Sequence, residues 1–89
     1  MKEITLSSGK KMEMREDAVG RDMRKARKIA REPGDEMFAL IAVLCTVDGV
    51  PVVYEELDDM PLKDIMKAMG VLSEVLDLDE NFSSRLPGR

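Results

Sequence analysis

Eighty-nine residues make one small domain, one that buries roughly 60–65% of the surface its unfolded chain exposes. With no His, no Trp and a single cysteine, Cys45, the chain excludes an internal disulfide, a Cys/His zinc centre and imidazole acid–base chemistry. Its net charge of −4 is split along its length: residues 1–31 carry ten Lys/Arg and five Asp/Glu, residues 32–89 carry four and thirteen.

The opening predicts a β-hairpin. Ile4 and Leu6 alternate with polar residues, as do Met12 and Met14, and Ser7-Ser8-Gly9-Lys10 between them supplies a glycine for positive φ. The apolar face (Ile4, Leu6, Met12, Met14) needs cover, because an isolated hairpin is marginal in water. A first helix is expected from about Val19–Arg21 to a stop before Pro33-Gly34. Val19, Met23, Ala26, Ile29 and Ala30 share one face of it. Arg21, Arg24, Lys25, Arg27, Lys28 and Arg31 fan over about 160° of the opposite side. Asp35 is placed to cap the next helix, about Glu36 to Thr46.

That second helix has no polar face: Met37 through Cys45 are all apolar. A helix apolar all round is normally enclosed, and so short a chain has little material to enclose one. The expectation is that part of it meets another chain, and so that the protein self-associates. Asp48-Gly49 is a turn, and Val50 to Tyr54 reads as extended, a possible short third strand. Glu55 to Asp59 suits a helical turn. Pro61 opens a third helix with Leu62, Ile65, Met69, Leu72 and Leu76 at 3-4-3-4 spacing. The predicted class is α+β: an N-terminal hairpin followed by three helices, one domain over residues 1–76, with 77–89 a loose tail.

Motifs that suggest chemistry are incomplete. Ser8-Gly9-Lys10-Lys11 lacks the first glycine and the Ser/Thr of a phosphate loop, and a strand follows it. Asp77-Leu78-Asp79-Glu80-Asn81 begins like a calcium loop, but its sixth position is Phe82 and its twelfth Gly88. The carboxylates between Glu55 and Asp59 have no nucleophile or oxyanion donor near them in sequence. The reading is therefore non-enzymatic, with no catalytic residue, metal or cofactor. The longest apolar run is nine residues, against the roughly 20 of a membrane helix, and nothing reads as a signal peptide.

The basic helix is a candidate for electrostatic docking to an acidic protein surface. Nucleic acid is a weaker expectation, since no aromatic residue interleaves the basic block and the chain is anionic. A small nucleic-acid-binding regulator using the basic residues of 21–31 stands as the alternative function. The eight methionines suit either adaptable core filling or a deformable binding surface.

Several segments occur together in order: Ile4-Thr5-Leu6 with Ser8-Gly9-Lys10, then Val19-Gly20-Arg21-Asp22-Met23-Arg24-Lys25-Ala26, then Leu44-Cys45-Thr46-Val47-Asp48-Gly49. Val53-Tyr54-Glu55-Glu56-Leu57 and Met60-Pro61-Leu62-Lys63-Asp64-Ile65 complete the set. In that order and spacing, over residues 3–76, the chain resembles the tail assembly chaperones of tailed bacteriophages and Mu-like prophages. The resemblance implies a protein that coats the phage tape measure protein in the host bacterial cytoplasm. It also implies departure as tail-tube subunits polymerise, hence absence from the mature virion, and in some phages a longer frameshifted product. It supplies no catalytic residues. The apolar stripes alone nominate Leu40, Ile41, Leu44, Leu62, Ile65, Met69, Leu72 and Leu76 as core and adhesive surface together, without separating the two.

Overall fold

The structure, a computed structural model, describes residues 1–77. Strands β1 (Lys2–Thr5) and β2 (Lys11–Met14) come first, then helices α1 (Gly20–Ile29) and α2 (Glu36–Leu44). Strands β3 (Cys45–Val47) and β4 (Val50–Pro51) follow, then a 3-10 helix over Tyr54–Asp59 and helix α3 (Leu62–Val75). The class is α+β, with the strands in one antiparallel sheet of order β1-β2-β3-β4.

The register explains the sidedness of the sheet. Ile4, Met12 and Val47 lie opposite one another across three strands, as do Lys2, Met14 and Cys45. Residues paired this way share a face. Ile4, Met12, Met14 and Cys45 are buried, while Glu3, Thr5 and Lys11 point outward. The first hairpin closes as expected: Gly9 takes φ +91°, the Leu6 amide donates to the Lys10 carbonyl at 2.9 Å, and the Gly9 amide donates to Leu6 at 2.9 Å.

The second helix departs from expectation at its end. It stops at Leu44, and Cys45 and Thr46, read as helical, begin β3. The cause lies downstream. Asp48 (φ 52°) and Gly49 (φ 83°) both take left-handed backbone, the requirement of a type I′ hairpin turn, so the flanking residues pair as strands. A second hairpin thus sits between α2 and α3. The third strand is Cys45–Val47, and β4 is confined to Val50–Pro51 within the segment that was read as extended.

The same helix needs no second chain to cover it. Ala39, Leu40, Ile41, Ala42 and Leu44 are buried, and every other α2 residue is at least partly covered. The sheet, α1, α3 and the 3-10 helix all contribute to the core around it. Burying a Leu or Ile side chain contributes roughly 1.5–3 kcal/mol, so α2 is the hydrophobic centre of the domain. The expectation of self-association drawn from this helix loses its basis. Asp35 occupies the cap position of α2 but makes no cap hydrogen bond; its carboxylate instead accepts the Tyr54 hydroxyl at 3.1 Å. Of the tail expected at 77–89, all but Asp77 lies outside the described residues.

Candidate interaction surfaces

Two buried carboxylates fix the surfaces in place, and sequence reading singled out neither. Asp64 is the third residue of α3, where a carboxylate ordinarily reaches back to the cap amide. The cap residue is Pro61, which has no N–H, so Asp64 is free to bind elsewhere. It accepts the Ser7 amide at 3.0 and 3.2 Å and the Ser7 hydroxyl at 2.6 Å, pinning the first hairpin loop to α3. The Ser7 hydroxyl and amide hold the Asp64 carboxyl below the usual range despite its burial. Asp22 does the equivalent for α1. Its Oδ2 accepts the Val19 amide at 2.9 Å and its Oδ1 lies 2.6 Å from Nη2 of Arg15. The latter is a close ion pair without hydrogen-bond alignment, since Nε and Nη2 of Arg15 are buried with no acceptor in line among the described residues. The Val19 amide, and then Arg15, depress the Asp22 carboxyl. The available signal was position: each Asp is the third residue of its helix, facing a residue that cannot cap with a side chain.

Asp22 also displaces part of the expected α1 core face. Ala26 is buried, but Val19 and Ile29 are exposed. On the basic side, Arg21, Arg24, Lys25, Arg27 and Lys28 are exposed, and none makes an ion pair among the described residues. Arg31 differs. It pairs with Glu55 at 3.0 Å and Asp58 at 3.7 Å, and its guanidinium lies 5.7 Å from the Tyr54 ring centroid. That residue ties the end of α1 to the 3-10 helix, so it drops out of the docking set. The acidic run beginning at Glu55 is half accounted for by the same contact.

The eight apolar candidates separate cleanly. Leu40, Ile41, Leu44, Ile65 and Leu72 are buried and belong to the core, so they are corrected out of any adhesive surface. Met69 and Leu76 are half-buried. Leu62 is 72% exposed, and Met66, which is not among the eight, is 62% exposed. Leu62, Met66 and Met69 lie within about 60° on the α3 circumference, with Leu76 beside them. They form an apolar strip open to solvent along one side of the helix. Of the methionines, Met12 and Met14 are fully buried, Met23, Met37, Met60 and Met69 are partly buried, and Met1 and Met66 are exposed; on α3 the adaptable-surface reading rests on Met66 and Met69.

Ser8–Lys11 spans the turn of the first hairpin and the first residue of β2, and residues 78–81 of the calcium-like segment lie outside the described residues. Cys45 is buried at the start of β3, and burial pushes its thiol up to about 12. Among the described residues no three His, Cys, Asp or Glu side chains group as a metal site would require, and no helix is long and apolar enough to cross a membrane. Comparison with protein-family models, curated proteins and solved structures finds no match.

Proposed function

We propose that this chain is a non-enzymatic assembly chaperone for the phage tail tape measure protein. It acts in the host bacterial cytoplasm and leaves before the virion matures. Two things support the reading: the ordered segments of residues 3–76, and the solvent-open strip of Leu62 and Met66 beside Met69 on α3. The strip is the observation that carries it. A helix that packs its own core through Ile65, Ala68 and Leu72 still leaves two large apolar side chains in water, a grip suited to an apolar-rich helical client.

The test is co-expression of this chain with the tape measure protein of the same phage, followed by solubility and co-purification. The expected result is a soluble complex with the wild-type chain and loss of that complex with Leu62→Asp/Met66→Asp. If the client stays insoluble beside the wild-type chain, the chaperone reading fails. If the double variant works as well as wild type, the strip is not the grip.

The five basic residues of α1 that make no ion pair among the described residues favour a second reading, electrostatic binding of nucleic acid. Counterion release makes such binding weaken by orders of magnitude between low and moderate salt. A gel-shift titration that shows no complex even at low salt removes it.

A further inference from the structure

Strand β1 is an edge of the sheet, and its backbone is only half used. The Leu6 amide donates to the Lys10 carbonyl. In antiparallel alternation the pairs Ile4–Met12 and Lys2–Met14 then exchange hydrogen bonds, and Glu3 and Thr5 turn their amides and carbonyls away from β2. Neighbouring contacts agree with that direction: the Ser7 amide, next in the alternation, donates to Asp64, and the Thr5 carbonyl accepts Lys67 Nζ at 3.4 Å. The Glu3 amide and carbonyl and the Thr5 amide find no partner among the described residues. An edge left this way is a template for another strand.

Helix α3 runs antiparallel to β1 beside this edge. Asp64 meets Ser7, Lys67 meets Thr5, and Glu74 lies 3.6 Å from Lys2. An open groove of about 420 Å³ lies between the two elements, with Lys67, Gly70, Val71 and Glu74 on its helix wall. These four fall within about 100° of the α3 circumference. A Cβ added at Gly70 would meet nothing within 4 Å, so a neighbouring chain can approach closely there.

Both walls are self-complementary. A second β1 laid antiparallel with its Thr5 opposite Glu3 pairs every outward backbone group of residues 3 and 5, and centres on Ile4. The other registers are worse: one sets Glu3 against Glu3, and the next needs the Ser7 amide, which Asp64 holds. On α3, Lys67 and Glu74 are seven residues apart, so an antiparallel second α3 sets each against its opposite charge about a centre between Gly70 and Val71. Ile4 borders the same groove as Gly70 and Val71, so one two-fold axis satisfies strand and helix together.

We propose that two copies of this chain join through their β1 edges, so that two four-stranded sheets become one continuous antiparallel sheet with the two α3 helices side by side. Lys67 then leaves the Thr5 carbonyl for Glu74 of the other copy. This surface is not the enclosed α2, and it shares no residue with the strip of Leu62, Met66 and Met69. The pairing and the chaperone reading therefore stand or fall separately.

The experiment is sedimentation equilibrium on the full-length chain, with amide hydrogen exchange followed by NMR at Glu3 and Thr5. A dimer that grows with concentration is expected, and both amides should become protected as it forms. Thr5→Pro removes only an outward amide, which an edge strand tolerates, so it should melt like a folded domain yet stay monomeric. Lys67→Glu and Glu74→Lys, both at exposed positions, each put like charges together twice across the axis and should each weaken the dimer about tenfold. Mixed in equal amounts, the two variants bring opposite charges together again and should pair with each other about as well as wild type does with itself. A wild-type chain that stays monomeric at about 1 mM, with both amides exchanging freely, overturns the proposal and leaves Lys67 as a guard on the edge. A dimer indifferent to all three substitutions overturns it too and seats the contact elsewhere. Protection that appears only in complex with the tape measure protein gives the edge to an extended client segment, and so also overturns the second copy.

Discussion

Leu62 and Leu72 offer a controlled test of how α3 divides between core and surface. They are the same residue type on the same helix ten positions apart, one 72% exposed and the other 0%. Truncation to Ala changes helix propensity by only about 0.2 kcal/mol in a helix interior, and Leu62 is the first residue of α3, so propensity contributes little at either site. Burial is then the main variable. Leu72→Ala removes packed atoms from the buried core cluster to which Met12 and Leu40 also belong. Truncations of this kind cost about 2–5 kcal/mol, so about 3 kcal/mol is expected. Leu62→Ala should fall within about 0.5 kcal/mol of wild type. For a domain this small each kcal/mol moves Tm by about 4–8 °C, so Leu72→Ala should melt about 12–24 °C lower and Leu62→Ala nearly unchanged. Urea denaturation followed by circular dichroism checks both, with m-values required to agree. A loss above about 1 kcal/mol for Leu62→Ala refutes the assignment of Leu62 to a free surface. If that loss depends on protein concentration, Leu62 is covered by another copy.

Acid should destabilise the domain through its two buried carboxylates. Asp22 and Asp64 both titrate below their ordinary range when folded, so the unfolded chain binds their protons more readily. Their contribution is complete above the unfolded carboxylate value and is lost as pH falls through the folded one. Melting temperature should hold from neutrality to about pH 5 and drop below about pH 4, with a shallower acid limb in Asp64→Asn; identical limbs contradict the Ser7 clamp. Cys45 should resist thiol reagents in the folded protein and react only on unfolding, because the reactive thiolate is suppressed by burial. Rapid native labelling counts against its burial at the start of β3.

The sequence was most informative where one periodicity acted alone. The first hairpin, α1 and α3 were legible because alternation or 3-4 spacing was uninterrupted and their breakers (Gly9, Pro33-Gly34, Pro61) were strong. Cys45 and Thr46 were misread as helical because the continuous apolar run from Met37 to Cys45 carries no period and passes from α2 into the first residue of β3. The discriminating signal was Asp48-Gly49, a type I′ dipeptide that demands strands on both sides and so ends the helix before it. The site was legible as a set and not as a partition. A stripe of apolar residues reports which side of a helix avoids water, while the width of the covering layer decides which of them stay covered. Here the cover reaches Ile65 and Leu72 and stops short of Leu62 and Met66. Ser7–Asp64, 57 positions apart, had no local signal beyond the position of Asp64 after a proline cap.

The size of the α3 strip constrains how a chaperone built on it could work. Fully burying Leu62 and Met66 against a client gains about 1.5–3 kcal/mol each. Association costs at least about 4 kcal/mol in lost translational and rotational freedom. One copy on one client segment is therefore weak and exchanges quickly. A long client with repeated apolar stripes can still be held if many copies bind along it, and the net charge of −4 on each copy keeps such a coat dispersed. Weak individual contacts also make the coat easy to strip when subunits with larger interfaces polymerise over the same client. On this argument the purified complex should contain many copies per client, with the number rising in proportion to client length. Sedimentation of complexes made with full-length and shortened clients measures that ratio. A fixed one-to-one complex of high affinity would mean that more of the surface engages the client than Leu62, Met66 and Met69.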